Sequence, residues 1–462
     1  MKIKLLITLF YVFNIHAYAQ FGEQQIITTN AEAARAVYAV DLDNDGDLDV
    51  LSASFSNGGK VAWYENIDSQ GTFGPQQIIA LLEGTRHLYA ADIDGDGDMD
   101  VIASSFNNTS IPDVYWLENV DGLGNFGDPI VITDNVIGAI GVHAADLDND
   151  GDMDVLSASK DDNKIAWYEN LDGLGTFGEQ QVLSNNVLSA RTVYAADLNG
   201  DGNIDVISAS TAGDTVIWFK NNENGNFDPE QIISTDVDGV VSVYAADMDG
   251  DGDMDVLSAS YINKISWHEN LDGLGTFNNE HTISELTNGA SSVYAVDLDN
   301  DGDMDVLSAS AIDDKIAWYE NIDGQGAFGE QLLIDQENII QGRDVFAADL
   351  DGDGDMDVLV ASQNNQTIAW YENFTILGIE DNDSSQVSLY PNPATGSVTI
   401  TNPNNKTIKS IVVYDVLGRR VLKKELNISN DIMIDISFLS KGLFFVNIST
   451  PEGVLIKKLI KQ

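Results

Sequence analysis

One nine-residue pattern, Asp-x-Asp-x-Asp-Gly-x-x-Asp, starts at Asp41, Asp92, Asp146, Asp197, Asp247, Asp297 and Asp349, at intervals of 51, 54, 51, 50, 50 and 52 residues. The seven tryptophans keep step with it: Trp63, Trp116, Trp167, Trp218, Trp267, Trp318 and Trp370. So does a Phe followed by Gly, Asp or Asn, at Phe21, Phe73, Phe126, Phe177, Phe227, Phe277 and Phe328. Three markers in one register define a repeat whose units must stack on one another to bury their apolar faces. In the fifth unit, Ser242–Ala246 precedes the acidic loop and Val256–Ser260 follows it. Lys264–Glu269 carries the tryptophan, and Phe277–Ile283 comes after the turn Asp272-Gly273-Leu274-Gly275. Four short strands per period predict the blade of a β-propeller rather than a helical solenoid, which needs long 3.6-period stretches. An open β-solenoid is the competing stack.

The phase of the markers favours a closed ring. The first Phe-Gly segment precedes the first acidic loop, and nothing like it follows Trp370. Phe21–Thr28 is therefore expected to supply the outer strand of the last blade, whose other strands end at Asn373, and closure would hide the sheet edges. The Phe-Gly and Asp-loop combination resembles the FG-GAP/VCBS repeat family, the seven-bladed propeller also found in integrin α-subunit heads, over about residues 21–374. The Gly-Ala-Pro element of that family is replaced by Ser52-Ala53-Ser54 and its equivalents, closer to the VCBS form. The expected fold is all-β: a seven-bladed β-propeller with four-stranded blades and calcium loops over 20–374, followed by a small Ig-like β-sandwich.

The acidic loops hold 33 of the protein's 75 acids. Their odd positions are Asp41, Asp43, Asp45, Asp47 and Asp49; Asp92, Asp94, Asp96, Asp98 and Asp100; Asp146, Asp148, Asp150, Asp152 and Asp154; Asp197, Asn199, Asp201, Asn203 and Asp205; Asp247, Asp249, Asp251, Asp253 and Asp255; Asp297, Asp299, Asp301, Asp303 and Asp305; and Asp349, Asp351, Asp353, Asp355 and Asp357. Like charges about 4 Å apart repel by about 1–4 kcal/mol depending on the local dielectric, and a hard divalent cation removes that cost. Calcium accepts 6–8 oxygens from a flexible loop, whereas magnesium prefers a rigid octahedron with several waters. By analogy with the EF-hand loop and with this family, side chains 1, 3, 5 and 9 ligate and position 7 adds its backbone carbonyl. A metal-free Asp/Gly turn is the plainer alternative. In the fourth loop Asn199 and Asn203 replace two aspartates, which predicts weaker binding there. About seven calcium ions would offset part, not all, of the formal net charge of -53.

That charge argues against nucleic acid and anionic membrane as partners, since both require a basic footprint. The chain has no cysteine, which excludes disulfides, Cys-ligated zinc, iron–sulfur clusters and a thiol nucleophile. Lys2 and Lys4, the apolar run Leu5 to Phe13 and Ala17-Tyr18-Ala19 before Gln20 have the layout of a cleaved export signal over 1–19. No other stretch is apolar for the ~20 residues a membrane-spanning helix needs.

Composition changes after residue 380: residues 1–380 carry 12 bases and 68 acids, residues 381–462 carry 10 bases and 7 acids. Residues 375–387 are expected to be a polar linker. The runs Gln386–Leu389, Ser397–Thr401, Ser410–Tyr414, Leu443–Ile448 and Val454–Ile460 predict a small β-sandwich over 388–462. Leu389-Tyr390-Pro391-Asn392-Pro393, Val413-Tyr414-Asp415-Val416-Leu417-Gly418-Arg419, Leu439-Ser440-Lys441-Gly442-Leu443-Phe444-Phe445-Val446 and Lys457-Lys458-Leu459-Ile460-Lys461 resemble the type A C-terminal sorting domain of the Bacteroidota type IX secretion system. The resemblance implies contact with the type IX secretion machinery and a secreted or outer-membrane-surface location. A generic Ig-like accessory domain is the alternative.

Little in the sequence points to catalysis. His87, His143, His268 and His281 occupy different register positions, and His143 and His268 stand where other repeats have tyrosine, so packing explains them best. No Gly-x-Ser-x-Gly, Walker or HExxH spacing occurs. A carboxylate pair could hide among so many acids. Two functions remain: a non-catalytic calcium-binding propeller for adhesion, glycan binding or protein contact, and a secreted polysaccharide-degrading enzyme. Arg35, Arg86, Arg191 and Arg343 each stand six residues before their loop, and Lys60, Lys164, Lys264 and Lys315 each stand three before their tryptophan. Alternating strand directions put both sets on the face opposite the loops, where the arginines would meet an acidic glycan or a partner's carboxylates. Local ion pairing within an acidic surface is the competing role.

Overall fold

The computed structural model describes residues 20–56, 58–106, 113–375, 388–390, 392, 394–402, 407–415, 420–439, 441–449 and 454–461. Two compact units divide between Thr375 and Ile376. The export-signal reading of 1–19 and nearly all of the linker reading lie outside the described residues.

The first unit contains seven four-stranded antiparallel sheets. In the fifth, the strands run Val240–Ala246, Asp255–Ser260, Lys264–Asn270 and Phe277–Ser284, innermost first. The seventh takes its outer strand from the start of the chain. Gln25–Thr28 pairs antiparallel with Thr367–Tyr371, matching Gln25 with Trp370, and Phe21 bridges Asn373. Gly22 N–H donates to the Glu372 carbonyl at 2.7 Å, and Phe374 N–H donates to that of Gln20 at 2.7 Å. Each innermost strand packs against the next, and Ala34–Val40 packs against Gly342–Ala348, so the sheets form a closed propeller.

The second strand of every blade is buried along its whole length, because each sheet is covered on both faces. Period-two alternation shares its side chains between two layers. Leu51 and Ala53 join a core with Val101 and Ala103 of the next blade, whereas Val50 joins one with Leu359 and Ala361 of the last. The tryptophan of each third strand is a key for the following blade. Gly124, at φ +74°, sits so close to Trp63 that a Cβ would lie 2.4 Å from the indole. The same contact spans the closure, where Gly71 lies on Trp370 and Phe73 meets that indole edge-on at 6.5 Å. Phe21 takes the equivalent place on Trp318, with centroids 6.4 Å apart.

The second unit has a three-stranded sheet of Ser388–Tyr390, Ser397–Thr401 and Ile432–Asp435, and a four-stranded one ordered Arg420–Ile428, Ile408–Asp415, Gly442–Ser449, Val454–Lys461. Val398, Ile400, Ile411, Val413, Val446 and Ile448 from both sheets share one core. The strands Arg420–Ile428 and Ile432–Asp435 are absent from the sequence expectation. Arg420–Ile428 is an edge strand carrying Lys423 and Lys424, and such charges hide the apolar alternation while blocking further pairing.

Acidic loops and the channel mouth

Each acidic loop joins the innermost strand of a blade to its second strand. The first aspartate folds the loop over itself: Asp41 Oδ2 accepts from Gly46 N at 3.1 Å, and the same bond recurs from Asp92 to Gly97 and in the remaining loops. Asp45 Oδ1 accepts from Asp47 N, with Asp96 and Asp98 alike. The ninth position is buried and ties three segments together. Asp49 Oδ2 accepts from Leu42 N at 3.1 Å and its Oδ1 from Asn66 N at 2.8 Å. Asn66 Nδ2 in turn donates to the Leu350 carbonyl in the loop of the seventh blade at 2.9 Å. Asn119, Asn170, Asn221, Asn270, Asn321 and Asn373 reach the corresponding carbonyl of the preceding blade.

Position 7 faces sideways. Asp98 Oδ1 accepts from Asn44 Nδ2 and Asp355 Oδ1 from Asn300 Nδ2, both at 2.8 Å, so these side chains link adjacent loops. Positions 1 and 3 converge with position 5 in some loops and with position 9 in others. Oxygens of Asp41, Asp43 and Asp45, of Asp92, Asp94 and Asp96, and of Asp247, Asp249 and Asp251 lie within 4.8 Å of one another. Asp146, Asp148 and Asp154 converge in the same way, as do Asp297, Asp299 and Asp305.

The charged forms of these carboxylates are disfavoured. Burial, reinforced by neighbouring carboxylates, pushes Asp49, Asp100, Asp154 and Asp255 up to about 7, and Asp305 and Asp357 up to about 8. The third-position acids are raised for the same reasons, Asp299 to about 6. In the first loop, Oδ1 of Asp41, of Asp43 and of Asp47 are buried without a hydrogen-bond donor. Oxygen-only, anionic ligands with unsatisfied lone pairs fit calcium.

The fourth loop supplies its own donors, two neutral amides and one ammonium. Asn199 Nδ2 donates to Asp205 at 2.9 Å, Asn203 Nδ2 donates to Asp201 at 2.7 Å, and Lys220 Nζ lies 3.4 Å from Asp201. Bonds from Asn203 and Lys220 hold Asp201 below the usual carboxylate range although desolvation opposes them.

The innermost strands also build a cavity of about 180 Å³ around the central axis. Tyr38, Tyr89, His143, Tyr194, Tyr244, Tyr294 and Phe346 encircle it, each ring 4.2–5.3 Å from the next. Arg35, Arg86, Arg191 and Arg343 line the same cavity. Arg35 and Tyr38 are three residues apart, a spacing that puts side chains on opposite faces of a regular strand. A register shift between Ala34 and Ala36 makes Arg35 the extra residue of a bulge and re-aims it. Shifts enclose Arg86, Arg191 and Arg343 in the same way.

Sequence reasoning missed Asp344 and gave His87 no specific role. Asp344 accepts from Ser292 Oγ at 2.7 Å and from Val37 N at 3.1 Å, and burial raises it to about 6. His87 donates to the Val142 backbone, a contact that opposes the burial lowering it to about 4. Both sit one register position after the bulge and satisfy the next innermost strand, a role visible only once the blades are adjacent. His143 belongs to the aromatic girdle, buried His268 bonds Ser258 Oγ at 3.1 Å, and His281 stacks on Trp267 at 4.6 Å. The predicted lysines are paired locally: Lys164 with Asp162 at 3.0 Å, Lys264 with Glu280 at 2.6 Å, Lys315 with Asp313 at 2.9 Å and Lys60 with Glu32.

The FG-GAP-like repeat model matches residues 41–103, 146–208, 197–258, 248–308 and 298–360, together more than half of the chain. The secretion system C-terminal sorting domain matches residues 388–462. Over 80 residues the chain is 34% identical to the beta-agarase A of Zobellia galactanivorans; that stretch is 17% of this chain and covers only 15% of the length of that curated relative. Two solved structures share the fold and, at such identities, the fold alone. Virginiamycin B lyase from Staphylococcus aureus matches at a TM-score of 0.52 and 12% identity, over 76% of this chain and 99% of its own. BBS1N in complex with ARL6DN matches at 0.52 and 10%, over 76% and 96%. No helix among the described residues is long and apolar enough to cross a membrane. Repeat register, blade order and sorting signal lead to one assignment: the chain belongs to the FG-GAP-like repeat family and is exported through the type IX secretion system to the cell surface or the extracellular space.

Proposed function

We propose that the protein is a non-catalytic, calcium-stabilised propeller that binds glycans outside the cell. The observation that carries this reading is the make-up of the axial cavity. Four arginines and the aromatic girdle line it among aliphatic and hydroxyl side chains, and its one lining carboxylate, Asp344, has both oxygens engaged by Ser292 and Val37. Hydrolysis of a glycosidic bond ordinarily uses two carboxyl groups in defined roles, and this cavity offers one. The stretch shared with a beta-agarase supports a glycan as the ligand class. A glycan array probed with calcium-loaded protein tests it: binding to no glycan overturns the reading, and turnover of any polysaccharide favours the degrading-enzyme alternative.

Calcium enters this proposal as a folding cofactor. Asp41, Asp43, Asp45 and Asp49, with their equivalents, would hold the ion, and Asp47 would add its carbonyl. An ion at ten times its dissociation constant adds about 1.4 kcal/mol, and one in each loop would rival the usual net stability of about 5–15 kcal/mol. A melting temperature left unchanged by a chelator excludes this role.

A further inference from the structure

The four arginines of the channel mouth are set apart from five of the propeller's six lysines by their lack of an ion pair. Among the described residues, no carboxylate lies within 4 Å of any of them, whereas Lys60, Lys164, Lys220, Lys264 and Lys315 each have one. Nε of Arg35 and Nε of Arg86 are buried and make no hydrogen bond. Burial and mutual repulsion push Arg35 down to about 9 and Arg86 to about 10. Arg343 donates through Nε to the neutral amide oxygen of Gln363 at 2.5 Å, which positions it without neutralising it. In a protein of net charge -53, four guanidiniums line one cavity whose one carboxylate, Asp344, is engaged by Ser292 and Val37, which leaves the guanidiniums as a site built for an anion.

The surroundings narrow the kind of anion. Arg86 lies over Phe55 at 4.5 Å and over Phe106 at 4.9 Å, and Arg35 lies over Phe55 at 5.3 Å. Lys160 reaches the Phe106 ring from the next blade at 5.6 Å. Phe55 and Phe106 both directly follow a second strand, so the rings and the guanidiniums of neighbouring blades form one rim. These ring contacts hold the Arg35 and Arg86 guanidiniums at the rim, and guanidinium donor edges suit bidentate contact with a planar or tetrahedral oxyanion.

We propose that Arg343, Arg35 and Arg86, with Arg191 across the channel, form an oxyanion site that takes the sulfate ester or uronate carboxylate of an acidic polysaccharide. This deepens the glycan-binding reading and rests on it for the sugar, while the anion site stands on the arginines alone.

The test uses the mature chain loaded with calcium, at constant ionic strength. Its probes are inorganic sulfate, a sulfated galactan oligosaccharide, an oligouronate and a neutral galactan oligosaccharide. Sulfate is expected to raise the melting temperature relative to chloride, and at least one acidic oligosaccharide is expected to bind and to be displaced by sulfate. The Arg35→Ala/Arg86→Ala/Arg343→Ala variant should lose at least tenfold in that affinity. Should it fail to fold, Arg86→Lys and Arg343→Lys singly replace it, and each should still weaken binding because lysine lacks the bidentate fork. Equal affinity in folded variants, or no effect of sulfate and no acidic ligand on the parent, overturns the site. Binding of the neutral oligosaccharide alone, untouched by the variants, overturns the anion site and keeps the glycan reading. A response to sulfate without any oligosaccharide binding does the reverse.

Discussion

The Tyr38 ring lies 4.7 Å from that of Phe346, tilted by 43°, and across this contact the first blade meets the seventh. Nothing in the chain between Tyr38 and Phe346 is specific to closure, since the same aromatic step repeats between every other pair of neighbours. What is specific is the amino-terminal strand, which covers the outer edge of Thr367–Tyr371 and sets Phe21 on Trp318.

Deleting Phe21–Thr28 should therefore open the ring. The half-buried Phe21 loses its packing on Trp318, and the bared edge of Thr367–Tyr371 becomes a template for another chain. Calorimetry and light scattering should show a lower melting temperature and aggregation. A truncated chain as stable and as monodisperse as the parent would contradict the clasp.

Gly124→Ala should be costly for a single methyl group. The residue sits at φ +74°, and the new Cβ would lie 2.4 Å from Trp63. The left-handed backbone costs about 1–2 kcal/mol and forced overpacking about 1–3 kcal/mol more. Denaturant titration should show a loss of about 2–5 kcal/mol with an unchanged m-value, and a loss under 1 kcal/mol would contradict the keyed contact.

The blade count, the order of strands and the origin of the last strand were all legible in the sequence, because three markers recur in one phase and the first Phe-Gly is out of step. The acidic loops were legible for the same reason. The arginines could be placed at the start of their strands but not aimed. Strand alternation separates Arg35 from Tyr38, and only the bulge brings both to the channel. Asn66 and its equivalents carried no visible role, since their partner is a carbonyl one blade away. In the C-terminal unit, Arg420–Ile428 escaped detection because its charges protect an edge.

Buried histidines should make the propeller acid-sensitive. Burial lowers His143 to about 3 and His268 to about 4. The unfolded chain binds their protons near the ordinary value of about 6.5, so the stability they contribute is complete above that value and is lost as the pH falls towards the folded values. At pH 5 each costs about 2 kcal/mol. His143→Phe, which copies Phe346 at the same register, should gain that amount relative to the parent at pH 5 and almost nothing at pH 8. Parallel stability curves for the two proteins would refute the assignment.

Removal of 388–462 should separate folding from export. The two units have their own cores, so the truncated chain should keep its melting temperature but accumulate in the periplasm, as fractionation would show. Truncated protein reaching the cell surface at parental levels would contradict the export role.

The fourth loop breaks the pattern of the other six. Lys220, Asn199 and Asn203 already satisfy Asp201 and Asp205, so an incoming calcium ion must displace an ammonium and two amides while finding fewer charges to neutralise. Calcium titration of the parent should therefore resolve one site weaker than the rest, by about tenfold or more if the lost attraction is worth about 1.4 kcal/mol. Restoring the common pattern with Asn199→Asp, Asn203→Asp and Lys220→Ala should bring that site into line with the others. The same variant should be less stable than the parent in chelator, because the added like charges then face one another without Lys220, and more dependent on calcium for its melting temperature. If titration shows every loop equivalent in the parent, or if the variant is indifferent to chelator, then Lys220 is not standing in for an ion and the fourth loop is an ordinary member of the set.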